Sequence, residues 1–250
     1  MACSPGPGFG GGEKSVMVGA VEATVRDTKG APVAASPIQL CGLDACLYGM
    51  TDAGGHVLVS VNKTLKAPAF KYGDGLLFAK FAAPITMAST VLTSVTTVAL
   101  PETGVPFLPG GEAVSGGVRL SLPAGGSFVV DDLEYPKPED QRFRAAALTA
   151  AQAAPALDPS LGVAIVYGAA PIGTRFCPPA QITVPNSEKW PAGTEVEFFI
   201  HGLDTTQEDA PYAGWAKASS GKVSADGAQI LTDSAGGLAV LSTFGVRKKP

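Results

Sequence analysis

The 250 residues are 46% hydrophobic and 16% charged, which supplies one large or two small cores and excludes a disordered tail. The formal net charge of −4 gives phosphate backbones no general attraction, so nucleic acid is a poor partner. No apolar run reaches the roughly 18 residues that a spanning helix needs, while 31 glycines and 21 prolines favour short strands joined by tight turns.

Residues 1–14 read as a flexible tether. Residues 1–12 lack the apolar centre of a signal peptide. Cys3 followed by a Ser/Pro/Gly-rich stretch resembles the mature start of a bacterial lipoprotein, which would place the chain outside a membrane on a lipid anchor. A stray cysteine in a disordered terminus is the alternative.

Residues 19–26 alternate in polarity and end in a turn at 27–30, a strand signature. Residues 31–40 follow as a strand. Cys41 and Cys46 then flank a four-residue turn, so they face each other across a hairpin at bridging distance. A disulfide there implies an oxidising compartment; a metal pair lacking two ligands, or two thiols, are the rivals. A second turn at 51–55 leads into the strand 56–61, and strands at 76–81 and 94–100 complete a unit over 15–100.

The Pro-rich segment 101–111 reads as a linker. Within 112–250, strands are expected at 117–122, 128–133, 142–148, 162–167, 180–184, 194–201, 214–218, 222–224 and 238–244. The alanine-rich stretch 145–156 is bounded by Pro155 and Pro159, so a strand end with at most one helical turn is expected. The fold class is all-β, with two β-sandwich units, the C-terminal one larger.

Gly19-Ala20-Val21, Asp27 with Gly30, Ala31-Pro32-Val33, and Thr51-Asp52 with Gly54 together resemble the carboxypeptidase-regulatory-like, transthyretin-like fold. The resemblance implies an accessory module for adhesion, spacing or stability; His56 stands where that family usually has Phe or Tyr. The second unit resembles the sandwich of ankyrins, netrin receptors and zonula occludens proteins through residues 117–125, Phe176-Cys177-Pro178-Pro179-Ala180 and Val184-Pro185-Asn186. Trp215 and 223–227 resemble its closing strands. The arrangement is similar to surface lipoproteins of myxobacteria-like organisms.

Catalysis finds little support. No G-x-S-x-G occurs, and the two histidines, His56 and His201, fall in separate strands where a packed or part-exposed ring is the commoner outcome. Residues 100–104 spell a sortase pentapeptide, but internally and without a following apolar span. Lys14 and Asn62 are of the types used in isopeptide bonds, yet the first strand lacks the required lysine. Cys177 has no evident partner and is expected to be buried.

Two acidic loops, Asp131-Asp132-Glu134 and Asp204 with Glu208 and Asp209, offer oxygen ligands of the kind calcium takes, but without calcium-loop spacing, so no cofactor is expected. Trp190, Tyr212 and Trp215 are the rings available for stacking on sugars, with Trp190, before Pro191, the one expected to be exposed. The function these features predict is a non-catalytic structural or adhesive module, exported and either anchored in an outer membrane or secreted, binding a surface protein or polysaccharide. A carbohydrate-binding module and an enzyme with an unrecognised site are the alternatives.

Overall fold

The computed structural model describes residues 6–250. Strand β1 (Ser15–Arg26) buries Val18, Val21, Ala23 and Val25, as an alternating strand over one core must. It pairs antiparallel with β4 (His56–Lys66) and parallel with β7 (Ser89–Thr96). A second sheet has the order β3-β2-β5-β6, from β2 (Pro37–Cys41), β3 (Cys46–Met50), β5 (Ala69–Tyr72) and β6 (Phe81–Pro84). The side chains of Ile38, Leu40, Phe70, Tyr72 and Phe81 join those of β1 in a shared core.

Both expected Asp…Gly turns form. Asp27 accepts the Lys29 and Ala31 amides, and Asp52 those of Gly54 and His56; such side-chain caps close a turn without outside help. Two strand expectations fail here, and one strand is unforeseen. Residues 31–36 are not a strand. Residues 76–78 wrap around Asp74, whose carboxylate accepts the amides of Leu76, Leu77 and Phe78, so the strand starts only at Phe81. β5, which is short and flanked by Pro68 and Gly73, carries no alternation of its own to reveal it.

The remaining strands are β8 (Glu112–Ser115), β9 (Val118–Ser121), β10 (Ser127–Val129), β11 (Arg144–Thr149), β12 (Ile165–Ala170), β13 (Arg175–Pro185), β14 (Glu195–His201), β15 (Trp215–Val223), β16 (Gln229–Thr232), β17 (Leu238–Val240) and β18 (Phe244–Lys248). They form one antiparallel sheet of order β11-β12-β18-β14-β15-β16-β13-β9-β8, with β10 and β17 also on β13. Its two ends meet: the Ala145 amide donates to Ser115 Oγ at 3.1 Å. Gly116 makes that approach possible, since a Cβ there would lie 1.9 Å from the Ala145 carbonyl oxygen. The sheet thus curls around a core of Phe143, Phe176, Ile182, Phe198 and Phe244.

Between β11 and β12 the alanine-rich stretch forms one helical turn, α1 (Ala150–Ala153), capped reciprocally by Thr149 and Gln152. Gln152 also donates to the Thr28 carbonyl. Ala153, Ala156, Val166, Phe199 and Trp215 belong to the same apolar cluster as β1, β5 and β6. The smaller sheets and the large sheet therefore share buried surface.

Segment 101–111, expected to be a linker, is pinned. Phe107 is buried against Phe128, Phe143 and Phe176. Arg144, itself buried, donates to the carbonyls of Pro101 and Glu139, which fixes the sortase-like pentapeptide in the fold. The tether is also docked where it is described: the Gly8 and Phe9 amides donate to the Glu208 and Gln207 carbonyls.

Candidate functional site

A cleft of about 790 Å³ opens where Gln39 of β2, Lys71 of β5 and Lys80 face the large sheet and the loop 202–210, a volume typical of small-ligand sites. Both acidic loops line it, bringing Asp131, Asp132 and Glu134 to the same space as Asp204, Glu208 and Asp209. Three cations, Lys71, Lys80 and Arg175, share the lining. No pattern in the sequence pointed to this convergence of residues some seventy positions apart.

Most of these charges neutralise each other. Lys80 Nζ lies 3.0 Å from Glu134 Oε1. Arg175 contacts Glu208 and, at 3.1 Å, Asp209 Oδ2. Burial pushes the Asp209 carboxyl up against the opposing pull of Arg175. Asp131 accepts the Leu133 amide and Asp204 that of Thr206, local caps that leave carboxylate oxygen towards solvent.

Lys71 is different. Phe70 and Tyr72 face the N-terminal core, so the strand's two-residue period turns Lys71 to the opposite face, over the cleft. It is only 9% exposed. Its ammonium stands 4.9 Å from the centre of the Tyr212 ring and has no ion-pair or hydrogen-bond partner among the described residues. Burial first, and the nearby charge of Lys80 second, lower it to about 8; Asp204 and Glu134 act the other way. The signal in the sequence is a lysine inside the otherwise apolar run Ala69–Tyr72.

His201 lies at the base of the cleft, 1% exposed. Its Nε2 accepts the Ala82 amide at 3.0 Å, so the other nitrogen, Nδ1, carries the proton donated to the Gly214 carbonyl at 2.9 Å. Desolvation dominates and lowers it to about 4. Both nitrogens are committed to backbone. His56 is at the surface, with Nε2 3.0 Å from Glu22 Oε1.

The rings considered for sugar stacking are all buried, at 8% exposure for Trp190, 7% for Tyr212 and 8% for Trp215. Trp190, expected to be exposed, is held by Asn186, which accepts its amide and donates to its carbonyl. Trp215 stacks on His201 at 4.7 Å and donates to the Ala156 carbonyl. Tyr212 donates its hydroxyl to the Cys41 carbonyl.

Glu208 and Asp209, considered as calcium oxygens with Asp204, turn instead onto Arg175. Among the described residues no group of three or more His, Cys, Asp or Glu side chains is placed to hold a metal ion. Cys41 and Cys46 form the expected disulfide across the β2–β3 hairpin. Cys177 is half-buried rather than buried, and Cys3 lies outside the described residues. No helix among the described residues is long and apolar enough to cross a membrane.

No family model matches the chain, and no curated protein matches it. Among solved structures it is similar to "The Bacillus anthracis TIE protein", at 8% identity over 94% of this chain and 45% of that one, with a TM-score of 0.27. The chain thus spans less than half the length of that protein, and a superposition so loose carries no argument. The chain is an all-β protein of sandwich-like sheets, with a disulfide-bridged hairpin and an ionic cleft.

Proposed function

We propose that this is an exported, non-catalytic binding protein that engages a surface protein or polysaccharide through the cleft between its N-terminal sheets and its large sheet. The observation that carries this reading is the convergence of two distant loops and a buried lysine on one concave surface. Export is supported by the Cys41–Cys46 disulfide, and anchorage through a lipid on Cys3 belongs to the same proposal. The engagement of both His201 nitrogens by backbone supports a binding role over general-base chemistry. Under this proposal the N-terminal unit is a carboxypeptidase-regulatory-like module, supported by its two Asp…Gly turns.

The test is binding of the labelled protein to intact cells of its own source, alongside a Thr205→Trp variant. Thr205 is exposed on the cleft rim, so the indole fills the cleft without disturbing the core. Saturable binding lost in the variant is the expected result. Equal binding by both proteins overturns the cleft as the binding surface. Anchorage is tested separately, by membrane fractionation of a full-length Cys3→Ser precursor.

A further inference from the structure

After the internal pairs are formed, the charges left over in the cleft are arranged with polarity. Lys80 is matched by Glu134, and Arg175 by Glu208 and Asp209. What remains is one buried ammonium, Lys71, and three carboxylates nearer solvent, Asp131, Asp132 and Asp204. Asp131, Asp132 and Asp204 are exposed whereas Lys71 is buried.

An ammonium on a side chain that is only 9% exposed, with an aromatic face as its one close neighbour, is costly, and what solvent it meets is that of the cleft. Asp204 and Glu134 act on it through space but lie beyond ion-pair distance. A bound anionic group would supply the missing partner. A multiply charged anion such as a phosphate monoester fits poorly, because the cleft walls carry six carboxylates against three cations. A single carboxylate linked to a cationic group fits both ends.

Resting on the reading that this cleft is the binding surface, and going beyond it by assigning the cleft a small ligand, we propose that it takes an amino-acid or short-peptide zwitterion, its carboxylate on Lys71 and its ammonium on the Asp132 and Asp204 side. The polarity of the site then selects against ligands blocked at either end, since each blocked end leaves one protein charge without its partner.

The experiment uses the full chain and three versions of one random tripeptide library: unmodified, N-acetylated and C-amidated. Thermal shift and ligand-observed NMR serve as readouts. The unmodified library is expected to raise the melting temperature and to show binding, and each blocked library to bind roughly ten- to a hundredfold more weakly, as for loss of a charge-assisted contact. Lys71→Met is expected to lose the response to the unmodified library, and the double variant Asp132→Asn/Asp204→Asn to lose its preference for the free amino terminus. No response to the unmodified library, equal responses to all three, or an undiminished response in Lys71→Met overturns the proposal. Cell binding abolished by Thr205→Trp but unaffected by Lys71→Met would sink this ligand class alone and leave the cleft-binding reading standing.

Discussion

The imidazole of His201 accepts the backbone amide of Ala82 at 3.0 Å, so a strand of the large sheet supplies the hydrogen-bond acceptor for a strand of the small one. That bond exists only while Nε2 is unprotonated. With Trp215 stacked on one side and Phe81 tilted on another, the ring, 1% exposed, is poorly solvated as an imidazolium, and the nearby Lys71 charge adds to the penalty. The folded value near 4 lies below the ordinary 6.5. Between these values the unfolded chain binds the proton and the folded one does not, so stability is fully present above pH 6.5 and falls as pH drops towards 4. A loss of roughly 2–3 kcal/mol is expected across that window. In His201→Gln the amide oxygen still accepts from Ala82 but does not titrate, so its urea midpoint should fall less between pH 6.5 and 4 than that of the wild type. Parallel acid profiles for the two proteins would refute the assignment.

Lys71 is expected to cost the fold stability rather than add to it. Its folded value near 8 lies below 10.5, so between those values the unfolded chain holds the proton and stability rises with pH. Lys71→Met keeps the stem's volume and removes the buried charge. We expect this variant to be about 1–3 kcal/mol more stable at pH 7, with the gain shrinking as pH rises through 8 towards 10.5. The check is the difference between wild-type and variant unfolding curves across that range; a destabilised variant would mean that Lys71 has a partner in the folded protein.

Tyr72 is fully buried between Phe70 and Phe81, with ring centres at 6.0 and 5.7 Å, and its hydroxyl has no hydrogen-bond partner among the described residues. Burial drives its ionisation strongly upward, so it stays neutral. A buried hydroxyl without a partner costs more than the hydrogen bond it fails to make. Tyr72→Phe should therefore stabilise the protein by roughly 1 kcal/mol, read as a higher denaturant midpoint at unchanged slope. A loss of stability would show that the hydroxyl is satisfied in solution.

These residues show where sequence was informative. The Cys41–Cys46 hairpin could be read because turn length and cysteine placement are local, and so could the turns closed by Asp27 and Asp52. The cleft could not, because Lys71, Asp131, Asp204 and His201 come from four separate stretches brought together only by tertiary pairing. Burial of Trp190 was hidden for a related reason: its pin is the side chain of Asn186, and nothing local distinguishes a pinned loop tryptophan from an exposed one. The merging of 214–218 with 222–224 into the single strand β15 reflects pairing with β14 and β16, which overrides the polar break at Ser219-Ser220-Gly221.

The segment 101–111 gives the sharpest contrast between composition and structure. Its prolines and glycines suggested a spacer, yet Phe107 sits at 5.1–6.0 Å from the rings of Phe128, Phe143 and Phe176. Truncating such a side chain removes its transfer energy and leaves a cavity that its aromatic neighbours close only in part. Phe107→Ala should cost about 3–5 kcal/mol, whereas a change at the exposed Leu108 should stay within about 0.5 kcal/mol. Equilibrium urea unfolding of both variants decides the point. If Phe107→Ala behaved like the change at Leu108, the aromatic cluster would hold without Phe107.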